Sequence, residues 1–359
     1  MNKYLIFAVI LFMFSCQEDT SLTDIPYEPQ EYEIPGQDIF GVMPIPEDNP
    51  TTVEGITLGQ HLFYDPILSV DSTMSCSSCH EPELAFTDGK AFSPGVKGIV
   101  GERSSMSLIN LGYSINGLFW DGRSDDLEDQ AIHPVEDVIE LSNKWSDVEE
   151  QLMDHPTYPK MFRKAFGIED KSEISRDLAT KAIAQFERAI VSYDSKFDRV
   201  QANEDVFTDE ELYGFELFYE INPLEIKDAQ CGHCHSGKLS TANKYFNNGL
   251  QDPGDEGLQG FDDKGRGLVT NNPIDNGKFR APTLRNIELT APYMHDGRLN
   301  TLEEVIEHYN SGGHYATNLD PNLVALDLTE EEKSAVVAFI KTLTDTSYLD
   351  NPLITNPFE

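Results

Sequence analysis

The feature that most constrains this chain is a pair of short cysteine motifs 155 residues apart, Cys76-Ser-Ser-Cys79-His80 within "SCSSCHEP" and Cys231-Gly-His-Cys234-His235 within "QCGHCHSG". Each is a C-x-x-C-H motif, the attachment signal of a c-type haem. Both thiols add across the vinyl groups of the porphyrin, and the histidine that follows binds iron from the proximal side. A chain carrying two such groups must fold around two large flat ligands. Two other chemistries use paired cysteines. A four-cysteine zinc site would take both pairs and a redox disulfide would take either, but neither gives a histidine a reason to follow each pair. His233, inside the second motif, reads as a bystander that points outward.

Helical segments joined by long loops suit such a chain, and the sequence has that texture. Ile174, Leu178, Ala182, Ile183, Phe186, Ala189 and Ile190 recur at threes and fours and form one apolar stripe. Capping boxes are expected at Ser146 with Glu149, Thr208 with Glu211, Thr301 with Glu304 and Thr329 with Glu332. Alternating strand patterns are scarce. The Gly-, Pro- and Asn-rich stretch 247–282 reads as loop. Each half carries one cysteine pair near its start, which suggests a duplicated module with a boundary near residue 205, although similarity between the halves is otherwise faint.

The chain opens with "MNKYLIFAVILFMFS", one lysine followed by an apolar run from Tyr4 to Phe14, directly before Cys16. That pattern predicts an export signal over 1–15, removed so that Cys16 becomes a lipidated N-terminus anchoring a periplasmic or cell-envelope protein to a membrane. Phe14 departs from the small residue usual in such a signal. Residues 16–49, acidic and dotted with Pro26, Pro29, Pro35, Pro44 and Pro46, read as a tether with little packed structure. The expected domains are then 50–205 and 206–345, with a tail over 346–359. Lys and Arg total 26 against 63 Asp and Glu among 359 residues, a formal net charge of -37. That balance excludes nucleic acid as a partner and suits a basic protein or a small neutral substrate, besides favouring solubility.

Five runs, "LGQHLFYDPILS", "MSCSSCHEPELAFTDG", "FWDGRSDDLEDQA", "CGHCHSG" and "APTLRNIELTAPYMHDGRLNTLEEV", carry a resemblance to the bacterial dihaem cytochrome c peroxidases, including their MauG-type members. It extends from about Gly55 to Leu343. It implies a mainly α fold of two cytochrome c-like domains, each around a covalently bound c-type haem, with long loops. The first haem would react with peroxide and the second would transfer electrons. Cys76, Cys79 and His80 would hold the first haem, and Cys231, Cys234 and His235 the second.

The resemblance also assigns roles around the haems. The loop histidine that blocks the first distal face in many peroxidases falls on Val96, sixteen residues past His80, and no histidine lies between His80 and His133. The first haem is therefore expected to be open without reductive activation. Gln130 matches the distal glutamine, Glu140 the catalytic glutamate and Trp120 the aromatic residue between the haems. By composition alone Glu140 is one solvated acid among many, and Trp120 is core filling. Tyr309, fourteen residues after His295, falls where peroxidases place a methionine ligand and MauG-type enzymes a tyrosine, with Met294 and His308 as competing ligands. A phenolate in place of a thioether lowers the potential of the haem. A calcium ion between the domains is implied at Thr290, Pro292 and Ser104, with a serine where asparagine is usual. Dimers are common in the family.

The leading functional expectation is a cytochrome c peroxidase that reduces hydrogen peroxide with electrons from a donor cytochrome or other small redox protein. A MauG-type oxidase, using peroxide to oxidise a protein or small molecule, is the second. A dihaem electron carrier without catalysis is the third, and Glu140 and the open first face argue against it.

Overall fold

The computed structural model describes residues 21–221 and 226–359. The predicted export signal and Cys16 lie outside the described residues. Twelve helices follow in chain order: α1 (Gln37–Phe40), α2 (Val53–Tyr64), α3 (Leu127–Gln130), α4 (His133–Glu136), α5 (Trp145–Asp154), α6 (Tyr158–Phe166), α7 (Arg176–Ala189), α8 (Lys196–Gln201), α9 (Asp209–Tyr219), α10 (Arg266–Thr270), α11 (Leu302–Ser311) and α12 (Glu330–Lys341). The only named strands among the described residues are β1 (Tyr245–Phe246) and β2 (Phe279–Arg280), antiparallel, with Tyr245 opposite Arg280. None of these helices is long and apolar enough to cross a membrane.

Two helix crossings organise the cores. In the first, Gly59 of α2 lies so near α7 that a Cβ there would sit 1.9 Å from the Ala182 carbonyl oxygen. One turn on, the Phe63 and Phe186 rings meet with centroids 4.9 Å apart. In the second, a Cβ on Gly214 of α9 would sit 1.8 Å from the Ala335 carbonyl oxygen of α12, and the Phe218 and Phe339 rings lie 5.2 Å apart. The residues match as well: Gly59-x-x-Leu62-Phe63-Tyr64 answers Gly214-x-x-Leu217-Phe218-Tyr219, and Ala182-x-x-x-Phe186 answers Ala335-x-x-x-Phe339. The likeness of the halves, faint by motif, is thus carried by small residues at each crossing that let two helix backbones touch.

The predicted stripe forms α7, started by Ser175, whose hydroxyl accepts from Leu178 N–H. Boxes at Thr208, Thr301 and Thr329 cap α9, α11 and α12 as expected. The box at Ser146 does not form. The buried Trp145, whose indole donates to the Ile132 carbonyl, already opens α5, and Glu149 instead accepts from the Arg176 backbone N–H at 2.6 Å.

Residues 21–49 and the final residues both pack where the sequence suggested tether and tail. The described part of the tether contradicts the expectation of little structure: Ile34 and Met43 are buried with Tyr113 and Val191, and Val53 N–H donates to the Gln30 carbonyl. These are single apolar anchors without periodicity, so no helical or strand pattern announced them. The final residues return to the first core. Ile354 is buried, its carbonyl accepts from Tyr64 Oη at 2.7 Å, and Gln60 Nε2 donates to the carbonyls of Pro352 and Thr355. Arg103 joins the halves through paired bonds to Asp263, and within its own half it also donates to Asp121.

Candidate functional site

The two cysteine motifs adopt one local shape. Each begins with a single 3-10 turn, Cys76–Ser78 or Cys231–His233, and each histidine backbone N–H returns to the carbonyl of the first cysteine. The His80 Nδ1–H donates to the Phe86 carbonyl at 2.8 Å, and the His235 Nδ1–H donates to the Ser240 carbonyl at 3.2 Å. Such a bond fixes the tautomer and leaves Nε2 as a free lone pair, the state in which imidazole binds metal. Burial lowers the proton affinity of both rings, His235 to about 4, and so favours the neutral ligand form. None of the four motif cysteines is in a disulfide, Cys76 packs on the first core and Cys231 on the second, and no cluster of four cysteines forms among the described residues. His233 is half exposed, with Nε2 3.5 Å from Asp228, as its reading as a bystander requires.

The second motif opens onto a cavity of about 220 Å3, lined by Cys231, Cys234, His235, Met294, Tyr309 and Trp120 among others. Arg280 lines it too, only 6% exposed, with Nε and Nη1 lacking any hydrogen-bond partner among the described residues. Burial pushes that guanidinium down to about 10. A buried cation without an anion is costly, and the propionates of a haem would supply one, so the donors and the lining of this cavity fit the group. The sequence offered no sign of Arg280, because the lack of a carboxylate partner is visible only in three dimensions.

Tyr309 projects from α11 into the cavity, and its hydroxyl accepts from Asn248 Nδ2 at 3.2 Å. The same Nδ2 lies 3.4 Å from Met294 Sδ, so Asn248 bridges two of the side chains expected to compete for the second haem. Burial pushes the Tyr309 phenol up to about 12. His308 faces elsewhere, with Nε2 on the Asn248 carbonyl at 2.9 Å. Trp120 lines the same cavity from the first half. Its indole N–H donates to the Ser104 carbonyl at 2.9 Å, and its own carbonyl accepts from Arg280 N–H at 2.8 Å. Ser104, Thr290 and Pro292 share this lining, and the Ser104 hydroxyl donates to the Met294 carbonyl at 3.0 Å.

Near the first motif stands Glu140, in the turn after α4. Its carboxyl is pushed up to about 7 by burial first and by Asp137 second, with Arg123 opposing, and its charge acts on the thiols of Cys76 and Cys79. The loop carrying Val96 is docked on this turn: Val96 N–H donates to the Glu140 carbonyl at 2.9 Å, and a Cβ on Gly95 would sit 1.9 Å from the Ile139 carbonyl oxygen. Gln130 is the last residue of α3, half buried, three residues before α4. Arg123 was not singled out by sequence. It lies over the Phe119 ring at 3.5 Å and is paired with Asp121.

A mainly helical chain with two C-x-x-C-H turns, a partly buried acid near one and an apolar cavity at the other fits a class of dihaem redox protein. Residues 53–206 match the family described as di-haem cytochrome c peroxidase. Cytochrome-c peroxidase IdrP1 of Denitromonas iodatirespirans is 35% identical over 345 residues, covering 88% of this chain and 89% of that protein. The methylamine utilization protein MauG of Methylorubrum extorquens is 34% identical, covering 84% and 81%. A solved MauG-like protein, described as associated with microbial copper homeostasis, superposes with a TM-score of 0.81 at 33% identity, over 94% of this chain and 99% of that one. The chain belongs to the bacterial dihaem cytochrome c peroxidase and MauG family, and it is an oxidoreductase that acts on peroxide.

Proposed function

We propose that this protein is a dihaem cytochrome c peroxidase, reducing hydrogen peroxide to two waters with two protons and two electrons from a donor protein. Cys76, Cys79 and His80 would hold one c-type haem, and Cys231, Cys234 and His235 the other, in two cytochrome c-like domains. When bound, the first haem supplies the redox chemistry that cleaves the O–O bond. The observation that carries the reading is Glu140, a partly buried acid in the turn after α4, whose proton affinity is pushed up to about 7 and whose charge acts on the first cysteine pair. An acid poised there takes a proton from one peroxide oxygen and returns it to the other, while the Gln130 amide orients the molecule. With Val96 held on the Glu140 turn, the loop offers no imidazole to cover the first distal face.

Trp120, between Ser104 and Arg280, is proposed as the electron path from the second half to the first. The net charge of -37 would steer a basic or lysine-rimmed donor. Export and lipidation at Cys16 would anchor the enzyme to a membrane as a periplasmic or cell-envelope lipoprotein. Calcium at Ser104, Thr290 and Pro292 would rest on neutral oxygens alone and bind weakly.

A second reading is favoured by Tyr309, which faces the second cysteine pair. As sixth ligand, its phenolate would lower the potential of that haem and turn the electron flow outward, so that peroxide oxidises a protein or small-molecule substrate. Electron paramagnetic resonance of the oxidised protein, before and after one equivalent of peroxide, tests both. A high-spin signal that reacts at once supports an open first haem, and a low-spin signal altered by Tyr309→Phe supports tyrosine ligation. Turnover with a reduced cytochrome supports the peroxidase. Two low-spin haems inert to peroxide until reduced would overturn both assignments.

A further inference from the structure

Asn248 stands where the three side chains expected to compete for the second haem converge. Its Nδ2 donates to Tyr309 Oη at 3.2 Å and to Met294 Sδ at 3.4 Å, and its backbone carbonyl accepts from His308 Nε2 at 2.9 Å. It lines the same cavity as Cys231, Cys234, His235 and Arg280, where the donors and the unpaired guanidinium fit a haem. The position is clamped from both sides. Asn247 is buried, its Oδ1 accepts from Gly249 N–H at 3.0 Å, and its Nδ2 donates to Asn318 Oδ1 at 2.8 Å. The Gly249 carbonyl accepts from His314 N–H at 2.7 Å, and a Cβ on Gly249 would sit 3.0 Å from the His314 nitrogen. The Asn248 amide is thereby presented to the cavity from a fixed backbone.

The two side-chain contacts are not equivalent. A thioether sulfur is a weak acceptor, so an amide N–H stabilises it little. The same N–H bonds an ionised oxygen about twice as strongly as a neutral one. The donor on Asn248 therefore strengthens as charge forms on Tyr309, and it gains little when Met294 binds a metal. Met294 is held by its backbone instead. Its φ is 75°, in the left-handed region that a residue with a side chain adopts only where its surroundings impose it, and its carbonyl accepts from Ser104 Oγ at 3.0 Å. His308 is turned away by another route, since Nε2 is engaged with a backbone carbonyl that no substitution at position 248 removes.

We infer that Asn248 is the positioning residue that gives the sixth position of the second haem to Tyr309 rather than Met294, by donating to the phenol oxygen and leaving the thioether as a spare acceptor. This rests on reading Cys231, Cys234 and His235 as the haem attachment and Tyr309 as the ligand. Ligation through Tyr309 breaks the phenolic O–H bond and releases that proton to solvent; ligation through Met294 releases none. One donor stands between two candidate ligands, so its loss moves the balance from oxygen to sulfur while both backbones keep their own anchors. The choice sets the potential of that haem, which a thioether raises and a phenolate lowers, and with it the direction of electron flow.

The test uses the haem-loaded full chain. Near-infrared magnetic circular dichroism of the ferric protein distinguishes a phenolate-bound low-spin haem from a thioether-bound one. The native protein should show the phenolate form. Asn248→Leu, which keeps the size and removes the donor, should shift the ratio of the two forms about 10- to 100-fold toward the thioether, the scale on which an outer-shell partner acts at a metal site. Potentiometric titration should show the potential of the second haem rising in the same variant, and Asn248→Leu combined with Met294→Leu should lose the thioether signal. An unchanged phenolate signal in Asn248→Leu overturns the proposal. If Asn248→Leu does not take up haem, an unchanged signal in Asn248→Asp overturns it equally. A native signal that survives Tyr309→Phe would instead sink the ligand reading on which the proposal rests.

Discussion

The crossing of α2 with α7 and that of α9 with α12 are built alike, with a glycine against a carbonyl and a phenylalanine pair beside it, yet the spaces they serve are lined differently. The first motif has two acids whose charges act on its thiols, the partly buried Glu140 and the buried Glu187. The second has a tyrosine, a methionine and an unpaired guanidinium around an apolar cavity. Scaffold and attachment turn are shared, and the loops between them set the chemistry. One side carries acids raised toward neutrality, and the other a buried cation whose Nε and Nη1 have no partner among the described residues.

The comparison breaks most visibly at Glu140. Glu140→Gln should lower the rate with peroxide by about 10²- to 10⁴-fold, whereas Tyr309→Phe should change the spectrum of the second haem far more than that rate. Glu140 must be ionised to accept a proton, so the native rate should climb as pH rises through about 7 and level off above it. Stopped-flow mixing at several pH values would show this limb, and its survival in Glu140→Gln would remove the residue from the mechanism.

Arg280 comes next. Replacing it with Met should leave the haem-free chain unharmed or more stable and cost the loaded protein about 3–5 kcal/mol, the penalty for breaking a buried pair. Paired thermal melts of both forms read it directly, and equal changes in the two would deny the guanidinium a ligand partner. Gly59→Ala and Gly214→Ala probe the shared scaffold. Each forces two helix backbones apart, and each should cost about 1–3 kcal/mol in denaturant unfolding; a large asymmetry would mean that one core is held mainly by its loops. The smallest effect separates true from apparent caps. Thr329→Ala should cost about 1 kcal/mol, while Ser146→Ala should change little because its hydroxyl bonds only to Asp147.

Much of the site was legible because haem attachment is a local requirement: two thiols and an imidazole at fixed spacing state their chemistry within five residues. The stripe of α7 and three capping boxes were legible for the same reason, since helix periodicity and N-cap hydroxyls act over one or two turns. The Ser146 box misled because a buried tryptophan one residue earlier decided where α5 begins. Residues 21–49 misled because Ile34 and Met43 are solitary anchors whose partners, Tyr113 and Val191, lie far away in the chain.

By itself the sequence determined the two C-x-x-C-H turns, the mainly helical character, the acidic balance and the family. Each follows from residue identity and short-range spacing. Only the tertiary structure decided that, among the described residues, Arg280 has no anionic partner for Nε and Nη1 and Glu187 Oε2 has no hydrogen-bond partner, that Asn248 bridges Met294 and Tyr309, and that the final residues close over α2. Those are properties of what surrounds a group. Burial and the loss of water set the proton affinity and the cost of a charge, and both come from residues scattered along the whole chain.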